Sequence, residues 1–244
     1  MGILLEAPVF TLEAALKAAE YGVNRLELCA DFGEGGTTPS VGTFDFLKSE
    51  LSIPIFVMIR PRGGDFIYSK EELKVMENDI RFLRNLGADG FVFGALDEVG
   101  QVNQDACQKL IYAAEGLPCT FHRAFDITVE KRLALESIID CGFSRILTSG
   151  GENTVTLGMQ NIKNFMTWAG NRIIIMPGGG SRPDHVLELK LLGNLKEVHA
   201  SCKTFRLSKS RYNHPSVCLS TDQEAFNNVL TIDRYQVQEF LKVL

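Results

Sequence analysis

Residues able to do chemistry recur in this chain at the ends of short apolar runs. Glu6 follows Ile3-Leu4-Leu5, and Glu27 and Cys29 alternate with leucines in Arg25–Cys29. Arg60 and Arg62 follow Phe56–Ile59. His122 follows Cys119-Thr120-Phe121 and leads into Arg123 and Asp126. Ser149-Gly150-Gly151 follows Arg145–Thr148, and Pro177-Gly178-Gly179-Gly180 follows Ile173–Met176. His199 ends a last such run, with Cys202 just beyond it.

Each type suggests a chemistry and a plainer alternative. Glu27, His122 and His199 are candidate proton-transfer residues, because a carboxylate or imidazole in an apolar setting can titrate near neutrality. Glu6 could likewise act as a base or contact a ligand, and Glu6 and Glu27 could equally each neutralise an arginine. Arg60 and Arg62, two apart on a strand, are expected to point the same way and could clamp a carboxylate or phosphate; the alternative is an ion pair with Glu27 or Glu6. The glycine runs let backbone amides approach an anion, or simply meet the positive φ of a tight turn. Gly178, Gly179, Gly180, Ser149 and Gly150 are therefore candidate ligand contacts, with Arg123 and Asp126 beside them. Cys29 could act as a soft metal ligand or nucleophile, or fill space as a small buried hydrophobe. Cys202 could assist it. No role is expected for His185 or His214.

These residues need elements to position them. The pattern is a short apolar strand followed by an amphipathic helix, repeated. Strands are expected at Ile3–Glu6, Arg25–Cys29, Ile55–Ile59, Gly90–Phe93, Cys119–Phe121, Arg145–Thr148, Arg172–Met176 and Glu197–His199. Such continuous apolar runs suit parallel strands buried on both faces. Helical spacing separates them, and Gly22, Gly87, Gly142 and Gly193 mark helix ends. Eight alternating pairs in 244 residues imply an α/β fold, a single TIM-type (β/α)8 barrel domain over residues 1–244. An open doubly wound sheet is the second choice, without the GxGxxG that would follow its first strand. Residues 201–230 lack a pattern and are expected to be a long loop before the last helix.

Composition narrows the function classes. A formal net charge of -5 without a basic run argues against nucleic acid. Apolar runs are too short to span a bilayer, and no signal-peptide pattern opens the chain. Six scattered cysteines without CxxC pairing suit reduced thiols in a cytoplasm.

At several of these segments the chain resembles the CutC family. The resemblance rests on Arg25-Leu26-Glu27-Leu28-Cys29, Glu34-Gly35-Gly36-Thr37-Thr38-Pro39-Ser40 and Phe56 to Phe66. It continues through Gly90 to Leu96, Phe121 to Asp126, Leu147 to Gly151 and Met176 to Gly180, in order over the first two hundred residues. It implies a cytoplasmic TIM barrel with a role in copper homeostasis and Cu(I) as its metal. Cys29 matches one of two candidate copper cysteines in eukaryotic relatives; Pro8 stands near the other.

Three readings follow: a copper-handling protein using Cys29 with Cys202 or His199, an enzyme acting on a small anionic or phosphorylated metabolite, and a non-catalytic scaffold or sensor, each as a homo-oligomer. All place the named residues around one cavity, with Arg60 in ion-pair reach of Glu6 or Glu27.

Overall fold

The computed structural model describes residues 2–212, 214, 216, 217 and 226–244. Eight parallel strands alternate with helices: β1 (Leu4–Val9), β2 (Arg25–Leu28), β3 (Ile55–Met58), β4 (Gly90–Phe93), β5 (Cys119–Phe121), β6 (Arg145–Thr148), β7 (Ile174–Pro177) and β8 (Glu197–His199). From β1 to β7 each strand pairs with the next, and β1 also pairs with β8. β7 packs beside β8 without a ladder between them, so the barrel closes by side-by-side contact. An open sheet is thereby ruled out; the fold is the TIM-type barrel.

The outer ring is α1 (Leu12–Tyr21), α2 (Val41–Glu50), α3 (Lys70–Asn85), α4 (Gln104–Ala113), α5 (Lys131–Cys141), α6 (Val155–Ala169), α7 (Pro183–Lys190) and α8 (Arg234–Leu241). Local chemistry sets their limits. Thr11 and Ser40 cap α1 and α2, and Ser69 with Glu72 forms a capping box on α3. Gly22 and Gly142 end α1 and α5 in the left-handed conformation.

Strand alternation divides the side chains between two environments. Leu5, Ala7 and Val9 of β1 join the large core between sheet and helices. A separate cluster of Cys29, Phe56, Met58 and Val92 fills part of the barrel interior.

The expected loop over 201–230 is corrected in part. Lys203–Leu207 (β9) and Asn228–Ile232 (β10) form an antiparallel pair. Its alternating exposed pattern on β9 lacks the apolar density of the barrel strands, which is why it reads as patternless. The pair is tied to the N-terminus of α1 by Thr11 Oγ1 donating to the Leu230 carbonyl at 3.1 Å and by Arg206 to Glu13 at 2.6 Å. Residues 213, 215 and 218–225 of the expected loop, Cys218 among them, lie outside the described residues.

Candidate functional site

A cavity of about 310 Å³ opens at the carboxyl ends of the strands. Glu27, Arg60, His122, Arg123, Gly179, Gly180 and His199 line it, together with Phe10, Phe32, Met58, Phe66 and Lys203. Residues far apart in sequence thus converge on one space, with His122 and His199 both facing it.

Below the cavity lies a charged layer that the sequence reading missed. Arg25 donates through Nε to Glu6 Oε2 at 2.6 Å and also pairs with Glu197, while Arg145 reaches Glu197 at 3.0 Å and Thr120 at 3.2 Å. Both guanidiniums also lie against the Phe56 ring, Arg25 at 4.5 Å and Arg145 at 4.8 Å from its centre. Two carboxylates and two guanidiniums, all buried, balance one another. The available signal was the period of two: Arg25 and Glu27 share a strand face, so an arginine lies directly beneath the glutamate.

Glu6 belongs to this lower layer. It sits in mid-strand, paired in register with Arg25 and His199, and corrects the expectation of a rim residue. Burial alone would raise its pKa, but Arg25 and the His199 hydrogen bond outweigh burial and hold it at about 2. His199 Nδ1 lies 2.9 Å from Glu6 Oε1, and Nε2 lies 3.8 Å from Glu27 Oε2. Burial opposes protonation of His199, yet the two glutamates raise its pKa.

Glu27 has no arginine partner. Burial, reinforced by the charge of Glu6 and opposed by His199, raises its carboxyl pKa to about 7. Its Oε1 is buried without a hydrogen-bond partner. His122 is held the opposite way: burial and then the charge of Arg60 push it down to about 3. Its Nδ1 accepts from the Ala124 amide at 3.3 Å, which puts the proton on Nε2, an atom with no partner. Gly94 makes room for the ring, since a Cβ there would stand 3.0 Å from it.

The arginines differ from expectation. Arg60 forms no ion pair with Glu6 or Glu27. Its terminal nitrogens donate to the carbonyls of Glu34, Gly36 and Gly64, and its Nε is unpartnered. The reason is register: Arg25 already occupies Glu6, and loop carbonyls reach Arg60 first. Its charge meets no carboxylate and lies over Phe66, which also packs on His122 at 4.7 Å. Arg62 turns away and binds Glu72 at 2.6 Å and the Ile67 carbonyl at 2.8 Å, fastening the loop.

The glycine-rich turns divide. Gly179 and Gly180 line the cavity at φ 97° and 77°. Gly178 instead provides packing room, because a Cβ would lie 2.3 Å from Leu147 Cδ1 and 3.0 Å from His199 Cβ. Gly150 lies against Gly158, where α6 crosses the turn. Asp126 orders this corner: it accepts from Arg123 Nε at 2.7 Å, Ser149 Oγ at 2.9 Å and the Gly151 amide at 2.9 Å. Ser149 also bonds Arg123 at 2.6 Å. Asp126 and Ser149 hold Arg123 against Gly179, and only Arg123 of the three reaches the cavity. Lys203, unforeseen because it sits in the expected loop, is brought to the rim by β9, its Nζ 4.6 Å from the centre of the Phe32 ring.

The thiols occupy apolar ground. Cys29 packs with Phe56, Met58 and Val92, and burial followed by the charge of Glu27 raises its pKa well above the usual thiol value. Cys202 points into the large core, away from the cavity, and burial raises it to about 12. Its expected partnership with Cys29 is corrected: at φ 42° the chain turns past β8 and carries the side chain inward. Glu6, Glu27 and His199 offer ligand atoms within 4.8 Å of one another. With Glu6 taken by Arg25 and His199, one carboxylate and one imidazole nitrogen remain, not the soft donor set that Cu(I) takes.

The fold and the cavity together define a (β/α)8 barrel with a cavity lined by acidic, basic and imidazole side chains at the carboxyl-end rim. The chain belongs to the CutC family, whose pattern matches residues 3–204. It is 42% identical over 218 residues to the human copper homeostasis protein cutC homolog, covering 89% of this chain and 80% of that one. A CutC family protein of Histophilus somni is 41% identical over 233 residues, 96% of each chain. The crystal structure of the putative copper homeostasis protein CutC from Streptococcus agalactiae superposes with a TM-score of 0.77 at 33% identity, covering 82% of this chain and 99% of that one. No helix among the described residues is long and apolar enough to cross a membrane.

Proposed function

We propose that this chain is a proton-transfer enzyme within the CutC family, acting on a small anionic molecule held in the rim cavity. The observation that carries the reading is Glu27, 3% exposed, with one oxygen unpartnered and the other facing His199. A carboxyl group near pKa 7 in a sheltered cavity suits a general base at neutral pH. Glu6, anchored by Arg25, positions His199, and His199 positions Glu27. Arg60, Arg123 and Lys203 supply positive charge around the same space, which favours an anionic ligand.

Thermal unfolding with inorganic phosphate, glycerol 3-phosphate and pyruvate tests the anion site, because a ligand bound to the folded state raises Tm by mass action. The reading expects at least one to raise Tm in the native chain and to lose that effect in Arg123→Ala. No rise with any of them would overturn it.

A second reading, participation in copper homeostasis through direct Cu(I) binding, is favoured by the names of the relatives and by the packing of two sulfur side chains, Cys29 and Met58, in one cluster. The high thiol pKa of Cys29 opposes it. Anaerobic Cu(I) titration against a competing chelator separates the two: equal affinity in the native chain and Cys29→Ser would remove copper from this site. Either reading suits a cytoplasmic protein with unpaired thiols.

A further inference from the structure

Glu27, His122 and Arg60 line one cavity, and each carries a buried polar atom without a hydrogen-bond partner: Glu27 Oε1, His122 Nε2 and Arg60 Nε. Their residues are 3%, 4% and 5% exposed. Buried polar groups are nearly always hydrogen-bonded, so three orphans in one space call for a shared occupant. Their types specify its chemistry. Glu27 Oε1 accepts a proton, whereas His122 Nε2 and Arg60 Nε can only donate a hydrogen bond. The occupant therefore presents a removable proton to one side and an oxygen to the other.

From this we infer that the substrate is a small anionic carbonyl compound, and that the reaction passes through its enolate. The inference rests on the proposed role of Glu27 as base and adds His122 as a second catalytic residue. In the step, the Glu27 carboxylate takes a proton from the carbon next to the carbonyl. The C–H electron pair becomes the new carbon–carbon π bond, and the carbonyl π pair moves onto oxygen. There His122 Nε2–H and Arg60 Nε–H hold the developing oxyanion. Return of the proton to the same carbon completes the cycle. In a hydroxycarbonyl compound it can go instead to the former carbonyl carbon, with the proton of the neighbouring hydroxyl passing to the first oxygen as that hydroxyl becomes the new carbonyl. Neither route needs an oxidant or reductant.

The surroundings of His122 favour this role over that of a base. The Ala124 amide fixes its tautomer with the proton on Nε2, and Phe66 packs against both the ring and the Arg60 guanidinium. Burial beside Arg60 keeps the imidazole neutral at working pH, so it donates a hydrogen bond without surrendering a charge. The anionic end of the substrate then falls to Arg123, Lys203 and the Gly179–Gly180 turn.

The test follows carbon-bound hydrogen in D₂O by proton NMR, using the full chain with dihydroxyacetone phosphate and with pyruvate. Glycerol 3-phosphate, which has an anion and no carbonyl, serves as the binding control. The native chain is expected to exchange carbon-bound hydrogen for deuterium in at least one carbonyl probe. Glu27→Gln should lower the rate by about 100-fold or more, and His122→Phe by about 100-fold. His122→Gln, which keeps an N–H donor, should recover at least about a tenth of the rate, a rescue that a merely structural role would not give. Glycerol 3-phosphate binding by His122→Phe, with an unchanged Tm shift, shows that the variant retains its fold and anion site. Binding of the probes without exchange, or exchange unaffected by His122→Phe, overturns the carbonyl inference and leaves the anion site standing. Absence of binding by every probe overturns both.

Discussion

Two layers of the barrel interior hold similar kinds of residue, equally buried, and treat them oppositely. In the lower layer Arg25, Arg145, Glu6 and Glu197 interlock, with both guanidiniums against the Phe56 ring. In the upper layer Glu27, Arg60 and His122 line the cavity and each keeps a buried polar atom without a partner. Buried charge alone therefore says little about function, since the lower layer is as charged as the upper. What distinguishes a site is burial without satisfaction.

The largest effect should come from breaking the satisfied layer. Arg25→Met leaves Glu6 without its arginine and Glu197 with Arg145 alone, and is expected to lower unfolding free energy by about 3 kcal/mol or more, read by urea denaturation. A loss below about 1 kcal/mol would show that the lower layer is not the interlocked unit described.

The unsatisfied layer should respond with the opposite sign. Glu27 has a folded pKa of about 7 against an ordinary 4.5, so the folded state binds the proton more tightly than the unfolded chain. Its stabilising contribution is complete below pH 4.5 and is lost as pH rises through about 7. Native stability should therefore fall, relative to Glu27→Gln, by on the order of 3 kcal/mol over that window. Parallel pH profiles for the two proteins would contradict the assignment.

The smallest effect belongs to Arg62, which lies outside both layers. Its side chain is 39% exposed and pairs with Glu72 and Asp65. Arg62→Ala is expected to cost less than about 1 kcal/mol and to leave binding at the rim unchanged, whereas a loss of binding would place it in the site after all.

The same contrast explains what could be read in the sequence. Strands such as Ile55–Met58 were legible because parallel strands buried on both faces are continuous apolar runs. Their carboxyl ends pointed to Glu27, Arg60, His122 and His199, all of which line the cavity. Partnership was not legible. Whether Glu6 meets Arg25 or Arg60 depends on inter-strand register, which local pattern does not encode. Lys203 was hidden for a related reason, because β9 acquires its place from pairing with β10 and from contacts with α1. The glycines posed a third problem: Gly178 and Gly179 are neighbours of one type, yet only a three-dimensional neighbour such as Leu147 assigns the first to packing.

The comparison between the layers comes down to two glutamates, 0% and 3% exposed, on adjacent strands. Carbon NMR of the protein labelled at glutamate carboxyl groups, followed from pH 3 to pH 8.5, tests it most directly. Glu6, held by Arg25 and His199, should remain ionised throughout, consistent with a pKa of about 2, while Glu27 should titrate near 7. Assignment through Glu6→Gln and Glu27→Gln identifies the two signals. Both carboxyl groups titrating together near 4.5 would contradict the account.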